Sequence, residues 1–283
     1  MHCDNFAKST TVAVTPTQID SDPISGGYAG GGQWVNNLLG NGMPGFCIST
    51  PTQSIRNQPV FDVGCMVSTG SGFAARLYAS VSDSPKPGSQ RWVDVLGDGT
   101  KAFCWESSDH PVVSCLPVDK DAQHFETPIN SGQVQVGSYG QDETWWADVN
   151  GDGKADYCRA VVDDDENHIT CTLMGQFGFG ATFSTPPLKL GYEGTGAMVD
   201  IDGDGYADFC RLTKASNPAD PTQPVQMSCL INDHENFLTS IDSSSPYNIE
   251  LNLELTNPVG IRPEPVQTCL LYTSFSRKRS IAQ

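Results

Sequence analysis

Basic residues are scarce in this chain. Its 283 residues carry 16 lysines and arginines against 33 aspartates and glutamates, a formal charge of −17. Nucleic-acid binding draws on clustered basic side chains that displace counterions from phosphate, so this balance argues against a nucleic-acid partner. Long apolar runs are missing too. No stretch approaches the roughly 18 apolar residues of a membrane helix, and no membrane span is expected. The opening residues, MHCDNFAKST, have neither the basic nor the apolar region of a secretory signal. No two cysteines are closer than Cys104 and Cys115, so the C-x₂₋₄-C spacing of a zinc site is absent. The histidines His110, His124, His168 and His234 share no common position and read as solvated. No Ser–His–Asp or Cys–His arrangement can be argued from them.

What is present points outward. Ten cysteines in an acidic chain suggest an oxidising, extracellular compartment. Set against the missing signal peptide, this leads us to expect a secreted protein whose true N-terminus precedes Met1. Residues 269–283, CLLYTSFSRKRSIAQ, contain no acid and three of the sixteen basic residues. The CLLYTS run resembles translated adapter sequence, the alternative being a genuine basic tail, and in neither case do residues 269–283 bear on the fold. Glycine and proline, 28 and 19 residues, punctuate the rest at high density.

Self-similarity organises the chain. Trp92-Val-Asp-Val-Leu-Gly-Asp-Gly-Thr-Lys-Ala-Phe-Cys104 aligns without gaps with Trp146–Cys158 and Met198–Cys210. Trp34–Cys47 is a fourth copy with one extra residue. A second cysteine follows each first one, pairing 47 with 65, 104 with 115, 158 with 171 and 210 with 229. Beyond it comes an aromatic residue: Phe73, Phe125, Phe179 or Phe237. First cysteines recur at intervals of 57, 54 and 52 residues.

Each unit carries strand signals. Short β-rich runs such as Tyr157–Val162 and Ile169–Met174 flank the polar turn Asp163–His168. About four strands fit each period, which predicts an all-β chain of four-stranded antiparallel β-propeller blades; an array of β-sandwiches is the competing architecture. The expected blades are 29–85, 86–138, 139–192 and 193–245. Residues 1–28 read as the remnant of a preceding blade, because Cys3 sits like a second blade cysteine. Residues 246–268 read as a partial blade or linker. Four blades in this setting form an arc of a larger propeller.

The chemistry lies in the loop after each first strand. Asp148, Asn150, Asp152 and Asp156, and then Asp200, Asp202, Asp204 and Asp208, put oxygen donors at loop positions 1, 3, 5 and 9. Position 7, Lys154 or Tyr206, offers a backbone carbonyl. Ca²⁺ takes six to eight oxygens in flexible geometry, and this spacing wraps them round one point. An EF-hand needs a glutamate at position 12, where this chain has Arg159 and Arg211. The β-rich runs that follow also exclude a dockerin helix. The loop at Asp94 keeps Asp98 but has Leu96 and Ala102 at positions 3 and 9, and the first copy offers only Asn41. Those two are expected to keep the turn without a tight metal.

The pattern D-x-[DN]-G-D-G-x-x-D between two strands of a repeated blade resembles the FG-GAP/VCBS-type repeat of integrin alpha-subunit propellers and of many secreted microbial and fungal proteins. The resemblance covers roughly residues 29–245. It implies structural calcium in the loops of Asp148 and Asp200, about two sites, held by the residues named above.

The cysteine pairs suit disulfides across neighbouring strands, each contributing about 2–4 kcal/mol. The column Trp34, Trp92, Trp146, Met198 reads as inner core, as do Phe46, Phe103, Tyr157 and Phe209. Trp105 and Trp145 break that column and are the better candidates for a ligand-facing aromatic. With no catalytic constellation visible, the expectation is a non-enzymatic, lectin-like binding or adhesion module. It would present loops to a glycan or an extracellular protein. The alternative is a non-catalytic propeller portion of a larger secreted enzyme or toxin.

Overall fold

The computed structural model describes residues 32–55, 58–74, 77–121, 123–134, 143–163, 166–214, 225–234 and 237–242. Cys3, Cys269 and the expected segments 1–28, 246–268 and 269–283 lie outside the described residues. The described chain is all-β, and its main sheets follow one another in sequence. The first sheet joins β1 (Gly32–Val35), β2 (Gly45–Ile55), β3 (Gln58–Val67) and β4 (Leu77–Val81). The second joins β5 (Arg91–Val93), β6 (Ala102–Glu106), β7 (Val113–Leu116) and β10 (Ile129–Asn130), while β8 (Val118–Asp119) and β9 (His124–Phe125) form a side ribbon. The third runs β11 (Thr144–Ala147), β12 (Asp156–Asp163), β13 (Glu166–Gly175) and β14 (Gly178–Ser184). The fourth runs β15 (Ala197–Val199), β16 (Asp208–Lys214), β17 (Val225–Asn232) and β18 (Phe237–Asp242). Every pairing is antiparallel.

Each cysteine pair sits directly opposite across the two middle strands and is bonded: Cys47–Cys65, Cys104–Cys115, Cys158–Cys171 and Cys210–Cys229. Their Cα atoms are 4.0–4.1 Å apart, near the spacing of the closer, non-hydrogen-bonded type of antiparallel pair. Four such bonds are consistent with an oxidising, extracellular setting.

The middle strands do not alternate between buried and exposed. Ala102, Phe103, Cys104 and Trp105 in β6 are all buried, as are Tyr157–Val161 in β12. Strands buried on both faces need a neighbour on each side, and the core supplies it. One cluster lies between the first and second sheets, with Phe61 and Val63 against Phe103 and Trp105. A second joins Val95 and Cys104 to Met174 and Trp146. A third joins Val149 and Cys158 to Phe209 and Phe237. Each fully buried large apolar side chain contributes about 1.5–3 kcal/mol.

This arrangement corrects the aromatic expectations. Trp105 is 1% exposed, packs edge-on to Phe61, and donates its indole N–H to Asp83 Oδ2 at 2.7 Å. Trp145 packs on Phe209 and donates to Gly196 O at 2.9 Å. Both rings are used between sheets, so neither is free to face a ligand. In the proposed core column, Trp92, Trp146 and Met198 pack against the preceding sheet. Trp34, on the first described sheet, is instead 58% exposed. His168 also departs from the solvated expectation: it is half-buried, with Nδ1 3.0 Å from Thr185 O.

Candidate metal centre

One turn is built four times. The side chain at position 1 reaches forward to the N–H of the glycine five residues on: Asn37 to Gly42, Asp94 to Gly99 (2.8 Å), Asp148 to Gly153 (2.7 Å) and Asp200 to Gly205 (3.0 Å). Both glycines of each turn have positive φ, as at Gly151 (72°) and Gly153 (83°), a region that L side chains rarely enter. The side chain at position 5 accepts the N–H of position 7 in every copy: Asn41 from Met43, Asp98 from Thr100, Asp152 from Lys154 and Asp204 from Tyr206. These bonds make Asn37 the first position of the first loop. Burial agrees, since Leu38, Val95 and Val149 at position 2 are each 0–1% exposed.

Positions 3 and 9 separate the loops. Position 9 is Gly45 and Ala102 in the first two, and a fully buried aspartate in the others. Asp156 accepts N–H bonds from Val149 (3.0 Å) and Met174 (2.6 Å). Asp208 accepts from Ile201 (2.9 Å) and Asn232 (2.8 Å). At position 3 stand Leu39, Leu96, Asn150 and Asp202. Ligand oxygens of Asp200, Asp202 and Asp208 all lie within 4.8 Å of one another. A calcium ion with oxygens at 2.3–2.6 Å sets opposite donors about 5 Å apart, so these residues fit the ion.

Electrostatics shows what this convergence costs. Burial pushes the Asp156 carboxyl up to about 7, with the charges of Asp152 and Asp148 adding to it against the two N–H bonds. Desolvation raises Asp202 as well, together with its neighbours Asp204, Asp208 and Asp200. A cation would relieve both. Side-chain ammonium groups partly offset the charge in the Asp148 and Asp94 loops. Lys154 Nζ is 2.9 Å from Asp152 Oδ2, and Lys120 Nζ is 3.5 Å from Asp98 Oδ2. Although burial acts to raise Asp98, hydrogen bonds from Thr100 and the Lys120 charge prevail and hold it below its usual value.

The loops touch in series. Lys101 N donates to Leu38 O (3.0 Å), Ala155 N to Asp94 O (2.8 Å) and Ala207 N to Asp148 O (2.8 Å). The Tyr206 ring lies over Gly151, where an added Cβ would meet it at 2.9 Å. The sequence reading missed two residues here. Lys120 comes from the ribbon beyond the second cysteine, and its approach to Asp98 depends on the fold. Asn232 had a signal: it stands three residues after the second cysteine, where the other repeats have Ser68, Val118 and Met174. Apart from the loops, a polar cavity of about 500 Å³ is lined by Asp83, Asp109, His110 and Glu126.

No protein-family model matches the chain. Over 132 residues it is 27% identical to the NAD(+)–arginine ADP-ribosyltransferase Chelt of Vibrio cholerae, a match covering 44% of this chain. The matched part is 20% of that protein's length. This finding overturns two expectations together, that of a binding or adhesion module and that of a chain without enzymatic activity, because the relative is an enzyme. Binding-module features had dominated the sequence reading because the repeats are conspicuous, whereas no catalytic grouping stands out by spacing alone.

Proposed function

We propose that this chain is part of a secreted enzyme that transfers ADP-ribose from NAD⁺ to arginine, and that its sheets are calcium-held propeller blades of the FG-GAP/VCBS type within that enzyme. The similarity to the Vibrio cholerae transferase carries the enzymatic half of this reading. It favours membership of a larger secreted enzyme or toxin over an adhesive role. The disulfides favour the secreted setting.

The blade reading draws its support from the serial sheets, the core clusters between successive sheets and the loop-to-loop bonds. Ile201 is 49% exposed where its counterparts Val95 and Val149 are covered by the next sheet, which suits an arc of a larger propeller. Asp200, Asp202, Asp204 and Asp208 with the Tyr206 carbonyl would hold one calcium. Asp148, Asn150, Asp152 and Asp156 with the Lys154 carbonyl would hold the other. When bound, calcium supplies the positive charge that lets these oxygens stay together, and it stabilises the folded state by mass action.

The test is to incubate the purified protein with labelled NAD⁺ and an arginine-based acceptor. Label on the acceptor is the expected result. Neither transfer nor nicotinamide release, from a protein shown to be folded, would contradict the enzymatic reading.

A further inference from the structure

We propose that Asn232 is a positioning residue that couples the two acidic loops, so that a cation in one strengthens binding in the other. The proposal rests on reading those loops as calcium sites.

Asn232 is 0% exposed and touches both loops. Its side-chain Nδ2 donates to Val149 O (2.7 Å), inside the Asp148 loop, and to Ala207 O (3.2 Å), inside the Asp200 loop. Its backbone N donates to Asp208 Oδ1 (2.8 Å). Val149 in turn donates its own N–H to Asp156 Oδ2 (3.0 Å). One continuous run of hydrogen bonds therefore leads from the position-9 carboxylate of one loop to that of the other, through a single amide side chain. A cation that fixes Asp208 also fixes the Asn232 backbone. The fixed amide then holds Val149 in the place where its N–H orients Asp156. Ordering one loop lowers the cost of ordering the next, which is positive coupling in free-energy terms.

Comparison with the other repeats isolates this contribution. A backbone bond between successive loops is shared by three junctions, at Lys101, Ala155 and Ala207. Met174 holds the Asn232 position in the third sheet, and its N–H serves Asp156 just as that of Asn232 serves Asp208. Met174 has no amide to reach the preceding loop. Asn232→Met thus removes the bridge and leaves the backbone donor to Asp208 in place.

The experiment is calorimetric calcium titration of the intact chain, as wild type, Asp202→Ala, Asn232→Met and the double variant. Removing Asp202 should disable the Asp200 loop and weaken the remaining site about tenfold, a typical size for such coupling. In the Asn232→Met background the same removal should cost the remaining site about twofold or less. Equal weakening in both backgrounds overturns the coupling role while leaving the calcium reading intact. Absence of calcium binding to the folded wild type overturns both. Should Asn232→Met fail to fold, amide exchange decides. With calcium present, the Val149 N–H should exchange faster in Asp202→Ala than in wild type, and an unchanged rate overturns the proposal.

Discussion

The loops at Asn37 and Asp94 and those at Asp148 and Asp200 share one turn but not one composition. All four have the forward-reaching side chain at position 1, the two positive-φ glycines and the position-5 bond to the N–H of position 7. The first two achieve this with Leu39 or Leu96 at position 3 and Gly45 or Ala102 at position 9. Acids at those positions are therefore unnecessary for the turn. Where they occur, they crowd negative charge at an energetic disadvantage, which burial compounds for Asp156. At position 9 the carboxylates accept two backbone N–H bonds each, and under the proposed calcium reading a cation would offset the remaining crowding of charge.

That contrast can be broken most sharply at position 9. Asp208→Ala leaves the buried N–H of Asn232 and the half-buried N–H of Ile201 without their carboxylate, and should cost about 3 kcal/mol even without metal. Ala102→Gly, at the same position in the Asp94 loop, should cost about 1 kcal/mol or less. Thermal denaturation in chelator compares them, and similar losses would erase the distinction.

Next in size is the metal itself. At calcium a hundredfold above its dissociation constant, each site should add about 2.7 kcal/mol. Chelator should lower the melting temperature of wild type, and it should have little effect on Asp152→Ala/Asp204→Ala. An unchanged wild-type melting curve would remove the metal from the account.

A smaller effect sharpens the comparison between the two acidic loops. Lys154 already neutralises Asp152, whereas Tyr206 stands at the matching position in the other loop. Lys154→Met should tighten calcium binding at the Asp148 loop severalfold, measured by titration. Weaker binding would show that the ammonium assists the site. The smallest effect belongs to Lys120, whose exposed ion pair with Asp98 contributes at most about 1 kcal/mol. Lys120→Met should leave stability nearly unchanged, and a loss above that size would mean the ammonium anchors the loop.

Much of the architecture was legible because the repeat carries it. Direct opposition of the paired cysteines follows from their shared place on the two middle strands of each repeat, although the hairpins between them differ in length (separations of 18, 11, 13 and 19 residues), and the strands follow from β-rich runs between glycine and proline clusters. The first position of the first loop was not legible in the sequence. Asn36 and Asn37 are alike in chemistry, and only the bond from Gly42 and the burial of Leu38 choose between them. Trp105 was misread because breaking a column looked like a functional signal. A strand buried on both faces gives its outward position a neighbour as well, and Trp105 fills that second interface. Asn232 escaped notice since its value lies in a contact with Val149, 83 residues away in sequence. The similarity to the Vibrio cholerae transferase was illegible from the repeats, which record how the sheets pack.

The central claim is that the acids at positions 3 and 9 exist for a cation. The most direct measurement titrates calcium into the chelator-treated, folded protein and follows heat and stoichiometry. The account predicts about two bound ions per chain, falling to one in Asp202→Ala. No measurable uptake by the wild type, or the same stoichiometry after Asp202→Ala, would contradict it.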